Sequence, residues 1–446
     1  MNKKALTLII ILALCFVIYL LPFKGLEEAP RRCLVIFAMA ALLWISEVVP
    51  LYVTGFVILL AEVILLVPIM HVSSQLFYSP FFSNVIALFL GGFVLADSLH
   101  KFRLDERISR MIMRRLGSKP SVILLGLMLT SAVLSMWMSN TATAAMMIAL
   151  SLPIMRHIDS DDPYRKALIL GIAFACNLGG IGTPIGTPPN AIALKFMADA
   201  GIEISFVKWV AMSLPIALLL VVMAWKILIM LFKPRITELN LDFKISESLV
   251  GQQKFLLFLF AFTILLWLTT EFHGLSTGAV SMIPLVVIFG AGLMGKSDFK
   301  NLSWDILFLM GGGLTLGVAI KDSGLSDWVM AQVNLTSVPQ NAMVGLISFI
   351  SGTVTSFISN TSTANLLMPM VSGLTGVSLT AVCMAVAYGA SASMVLPIST
   401  PPNAIAYGSG EIKIGDMLKA GLIITISALA LISTVGYLWW RLIGID

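Results

Sequence analysis

The sequence predicts an all-α integral membrane protein with about eleven transmembrane helices and two re-entrant helical hairpins, arranged as an inverted repeat. Three observations predict it. Hydrophobic residues make up 58% of the 446 and charged residues 11%, against about 25% charged in a soluble domain, and the mean hydropathy is +0.98. Apolar stretches of about 20 residues, the length that crosses a bilayer, recur along the whole chain. Two polar phrases are each written twice: SNTATA at 139–144 against SNTSTA at 359–364, and PIGTPPNAIA at 184–193 against PISTPPNAIA at 397–406.

The first apolar stretch, 5–23, follows Lys3 and Lys4 and runs into YLLPFKGLEE with no small-residue cleavage site, so it reads as a retained span rather than a signal peptide. Spans follow at 33–50, 51–70 and 84–99. The basic stretch FRLDERISRMIMRRL (102–116) reads as an interfacial amphipathic helix. Stretch 121–155 is apolar but interrupted by SNTATA, which suits two half-helices of a re-entrant hairpin better than a straight span. A broken helix at 168–198, carrying the first TPPN, and a span at 206–231 close the first half. Residues 233–253, of mixed charge, form a cytoplasmic linker. The second half repeats the order: spans at 254–271, 276–295 and 303–320, an interfacial KDSGLSDWVMAQV (321–333), a hairpin at 341–372, a broken helix at 377–408 and a last span at 416–440. The organisation is therefore an N-terminal span and loop (1–32), a first repeat (33–232), the linker, and a second repeat (254–446).

Loop charges orient this plan. With the N-terminus inside and both hairpins returning to their own side, most of the 28 Lys and Arg fall on or near the cytoplasmic face, densest between Lys101 and Lys119. That orientation puts the C-terminus outside a multi-pass protein of the cell inner (plasma) membrane. Each half then has five crossings, and an odd number turns the second half upside down. Binding sites of such inverted repeats lie at the interface of the halves, at interrupted helices. A secondary transporter is the leading reading.

Other classes lack their residues. No basic run is interleaved with aromatics, so nucleic acid is not an expected partner. Cys15, Cys33, Cys176 and Cys383 lack paired spacing, and the four His lack ligand spacing, which argues against disulfide and zinc frameworks. No nucleophile with a base and no paired carboxylates accompany the phrases, so neither an enzyme nor an organic cofactor is expected. Glu62, inside the third span, reads as a domain or subunit contact, and the glycines at 91–92 and 311–313 as sites of close helix packing.

A helix that breaks at SNT leaves carbonyls unpaired at one end and N–H groups unpaired at the next. Carbonyl and hydroxyl oxygens are hard ligands suited to a small cation such as sodium, while the N–H ends suit an anion. Asn140 and Asn360 carry both donor and acceptor. Thr187 and Thr400 are placed as N-caps ahead of a proline at the first helical position, and the backbone at Gly186 and Ser399 is free to offer carbonyls. No Lys, Arg, His, Asp or Glu stands inside any of the four phrases.

At these phrases the chain resembles the divalent anion/sodium symporter family, which carries dicarboxylates, citrate or sulfate, and the likeness extends over essentially its whole length. The resemblance implies eleven spans plus two hairpins, a homodimer, and a scaffold domain past which a transport domain moves as an elevator. It implies a first sodium site at Ser135, Ser139, Asn140 and the Gly186 carbonyl, and a second at Thr355, Asn360 and the carbonyls of Ile358 and Ser399. It puts substrate carboxylates against Asn140, Thr141, Thr187 and Pro188 from one half, and Asn360, Thr361, Thr400 and Pro401 from the other. The expected function is sodium-coupled import of a C4 dicarboxylate such as succinate, malate or fumarate, with at least two sodium ions to balance the dianion. Citrate or sulfate are alternative substrates. The family also holds sodium-independent exchangers, which need a fixed positive side chain near the cation positions; none stands beside Ser135 or Thr355.

Overall fold

A computed structural model describes residues 3–114, 117–239, 248–332, 339–374 and 376–444. Arg115 and Leu116 of the first interfacial stretch, Val333 of the second, and 240–247 of the linker lie outside the described residues. The described chain is helical throughout. Eight of its helices are long and apolar enough to cross a membrane. Three expected spans are shorter: Leu51–Leu65, Thr277–Gly290 and Leu379–Ala392. The last is short because its helix stops before PISTPPN, and Leu51–Leu65 gives way to the short helix Val67–Met70. The interfacial stretches form the helices Leu104–Met113 and Leu325–Gln332. In the first, Leu104, Asp105, Ser109 and Met113 are buried, one stripe of an amphipathic helix.

Each SNT phrase breaks its helix. Pro120–Ser135 is followed by Asn140–Met155, and Gln340–Thr355 by Asn360–Val371. Each TPPN phrase restarts one. Tyr164–Gly179 passes through a 3₁₀ turn, Gly180–Gly182, before Pro188–Asp199 begins, and Leu379–Ala392 through Pro397–Ser399 before Pro401–Gly408. The proline pairs have no N–H to give, which a first helical turn does not require.

Packing exchanges the halves. Helix Asn84–Lys101 lies on Thr277–Gly290 of the second half, and Trp304–Asp322 lies on Leu51–Leu65 of the first. The paired glycines set both contacts: a Cβ on Gly91 would collide with the Ser281 carbonyl, and one on Gly312 with the Gly55 Cα. Likewise Tyr164–Gly179 packs on Pro401–Gly408, and Pro188–Asp199 on Leu379–Ala392. Glu62 is fully buried where the halves meet, with Thr315 Oγ1 2.7 Å from its carboxyl and also 3.0 Å from the Phe77 carbonyl. The four cysteines are free and buried.

Candidate functional site: a cavity between the two hairpin tips

In the first half, Ser135 Oγ lies against Asn140 Oδ1 and 2.8 Å from the Cys176 carbonyl oxygen. A hydroxyl has one proton, so one of these contacts brings two oxygens together with none between them. A Cβ on Gly180 would stand 2.9 Å from the Gly186 carbonyl oxygen and 3.0 Å from Asn140 Oδ1. Ser135 Oγ, Asn140 Oδ1 and the Gly186 carbonyl thus share one neighbourhood, hard oxygens of the kind a small cation takes. In the second half Thr355 Oγ1 donates to Asn360 Oδ1 at 2.7 Å. Ser359 caps its helix by accepting from the Ser362 N–H at 3.1 Å. Ser399 Oγ is 3.3 Å from the Ser356 carbonyl, and Ser356 Oγ pairs with Ser393 Oγ at 2.8 Å. Serines therefore fill places that Gly180 and Gly186 leave open in the first half.

The two threonines differ. Thr400 caps its helix, its hydroxyl accepting from the Asn403 N–H at 3.3 Å. Thr187 holds the same position without capping, contrary to expectation. The Asn190 N–H that it would serve is already bonded to the Thr187 carbonyl at 3.1 Å.

Three asparagines escaped the sequence reading. Asn190 Nδ2 donates to the carbonyls of Gly180 (2.9 Å), Ile181 (3.2 Å) and Thr183 (2.8 Å), pinning the unwound segment. Asn403 Nδ2 holds the Leu396 carbonyl at 3.1 Å. Asn177 Nδ2 reaches Thr400 Oγ1 at 3.0 Å and Asn403 Oδ1 at 3.2 Å, across the halves. The first two were legible as the last letter of TPPN; nothing marked Asn177.

All of this surrounds one cavity of about 760 Å³. Asn140, Thr141, Thr187 and Pro188 line it from the first half, and Asn360, Thr361, Thr400 and Pro401 from the second. Ser139, Gly186 and Ser399 also border it, while Ser135, Thr355 and Ile358 are not among its lining residues. Four helices begin at this wall, at Asn140, Pro188, Asn360 and Pro401, so four positive helix ends face one space. Among the described residues its lining holds no Lys, Arg or His; its charged side chains are Glu47 and Asp305, both exposed. Ile185 is 8% exposed and packs against Gly92, whereas its counterpart Ile398 is 72% exposed. Neither Glu47 nor Asp305 stands in a repeated phrase, and no local pattern marks them. Glu47 closes one helix and Asp305 opens another, and only the folding of the two halves together brings them to one cavity.

The chain matches the sodium:sulfate symporter transmembrane region over residues 2–445. It is 32% identical to an uncharacterized transporter of Haemophilus influenzae, over 98% of each chain. It is also 32% identical to the sodium-dependent dicarboxylate transporter SdcS of Staphylococcus saprophyticus, over 97% of this chain and 91% of that one. The fold resembles that of the Alcanivorax borkumensis YdaH transporter, with a TM-score of 0.55 at 15% identity, over 82% of this chain and 86% of the other. A multi-pass membrane protein whose family and relatives are transporters is not an enzyme, and this chain belongs to the divalent anion/sodium symporter family.

Proposed function

We propose that this transporter imports C4 dicarboxylates (succinate, malate or fumarate) with sodium. The observation that carries the reading is the convergence of both SNT tips and both TPPN helix starts on one cavity whose lining, among the described residues, has no basic side chain. An anion there is met by four helix N-termini, and a dianion still needs balancing charge. The oxygen clusters at Ser135, Asn140 and Gly186, and at Thr355 and Asn360 with the carbonyls of Ile358 and Ser399, supply places for at least two sodium ions. Family relatives named as sodium-dependent dicarboxylate transporters support the same assignment. The exchange of helices between repeats 33–232 and 254–446 supports the inverted plan, and the family resemblance brings a homodimer and an elevator-type movement with it. With the N-terminus inside, Glu47 and Asp305 lie at the cytoplasmic ends of their helices.

The test is labelled succinate uptake by proteoliposomes. Uptake driven by an inward sodium gradient into vesicles holding no succinate is expected. Uptake only into succinate-loaded vesicles, indifferent to sodium, makes the protein an exchanger and removes the cation sites. Competition by citrate and sulfate ranks the remaining substrates.

A further inference from the structure

The cavity repeats its phrases but not its hydrogen bonding. Counting back seven residues from Pro184 reaches Asn177; the same count from Pro397 reaches Ala390. Asn177 is 1% exposed and lines the cavity. Its orientation follows from its partners. Asn403 Nδ2 is committed to the Leu396 carbonyl, so Asn403 turns its oxygen to Asn177, and only the amide nitrogen of Asn177 can answer it. The same nitrogen donates to Thr400 Oγ1 at 3.0 Å.

Thr400 Oγ1 consequently accepts twice, from Asn177 and from the Asn403 N–H. A hydroxyl has two lone pairs and one proton. With both lone pairs used, this hydroxyl can meet a ligand only through its proton. Thr187, across the cavity, caps nothing and keeps both options.

We infer that Asn177 is a positioning residue for substrate recognition: it saturates the Thr400 oxygen and so makes that hydroxyl an obligate donor to the bound anion. One end of the cavity then takes only an acceptor oxygen, best a carboxylate or sulfate oxygen, while the Thr187 end takes donor or acceptor. The inference rests on the reading of this cavity as the anion site. A substrate in which an amide replaces one carboxylate can meet Thr400 only through its carbonyl oxygen, its NH2 finding no acceptor there, and so binds preferentially with the amide towards Thr187.

The test is a double-mutant cycle on uptake into proteoliposomes, using whichever of succinate, citrate and sulfate the wild type carries. Asn177→Leu is expected to raise KM about three- to tenfold with Vmax within about twofold, less than the loss of a whole charge-assisted hydrogen bond because the Thr400 hydroxyl remains. Thr400→Val raises KM at least as much, and the double variant is no worse than Thr400→Val alone. In a Thr400→Ser background, which keeps the hydroxyl, the effect of Asn177→Leu returns. Succinamate, the monoamide, should compete more nearly as well as succinate in Asn177→Leu than in the wild type, because the freed hydroxyl can accept; a packing role would not alter that ratio. Asn177→Ala replaces Asn177→Leu in the cycle if the latter does not fold. Additive effects of the two substitutions, or an unchanged KM in Asn177→Leu, overturn the assignment. A wild type that carries none of the three anions overturns the reading of the cavity, and the inference with it.

Discussion

Gly180→Ala probes the first cation cluster with one methyl group. The backbone at Gly180 is ordinary for any residue, φ −53° and ψ −24°, so the substitution carries no conformational penalty of its own. What it meets is polar: the Gly186 carbonyl oxygen at 2.9 Å, Asn140 Oδ1 at 3.0 Å and Asn140 Nδ2 at 3.1 Å, where ordinary contact begins at 3.4 Å. Those oxygens must therefore retreat by roughly 0.5 Å, out of the narrow range of about 0.3 Å within which hard cations hold their oxygens. Losing one such ligand is comparable to losing a hydrogen bond to a charged group, about 1.5–3 kcal/mol. That is roughly a 10- to 150-fold loss of sodium affinity. Sodium titration of uptake should show the half-saturating concentration rising by that factor. The counterpart, Ser393, already carries a Cβ and points its hydroxyl at Ser356; Ser393→Ala should shift sodium dependence less than about threefold. A folded Gly180→Ala protein with wild-type sodium dependence would refute the placing of a cation among these oxygens.

Three further predictions concern the frame around the site and are read by thermal melting in detergent. Gly312→Ala and Gly91→Ala each drive a methyl into the backbone of a neighbouring helix and should cost about 1–3 kcal/mol, the range for overpacking; an unchanged melting temperature would contradict the close crossing. Glu62→Leu should be neutral or stabilising, because Oε1 of Glu62 has no protein partner among the described residues and Thr315 keeps the Phe77 carbonyl. A large loss there would mean that the carboxyl has a role beyond the contact between halves. Arg165 grips Glu411 through two nitrogens, at 2.9 and 2.7 Å, and also holds the carbonyls of Met155 and Ile158; Arg165→Ala should therefore cost about 2–3 kcal/mol against about 1 for Glu411→Ala, and equal losses would leave the two carbonyl bonds without effect.

What was legible in the chain follows from the cost of hiding polar groups in an apolar medium. SNT and TPPN stood out because hydroxyl and amide residues that interrupt membrane helices must be answered by broken backbone or by a ligand. Their duplication pointed to one cavity, and all eight substrate candidates line it. The limits have the same origin. The letters of TPPN put a cap on both threonines, yet the Asn190 N–H is satisfied by a backbone carbonyl and only Thr400 caps. Asn177 is a single polar residue in an apolar helix, which reads locally as packing. Its meaning lies with Thr400, 223 residues away, and no local pattern encodes that. Repetition therefore marks where a site is, since both halves must break their helices to make it. The hydrogen-bonding polarity of the site depends on positions that are not repeated: Asn177 against Ala390, Gly180 against Ser393, Gly186 against Ser399. On this reasoning, changes at the duplicated tip asparagines, Asn140 and Asn360, abolish transport altogether. Changes at the unmatched positions retune which anion or cation is taken, and a substitution at Asn177 that altered selectivity without abolishing uptake would separate the two classes.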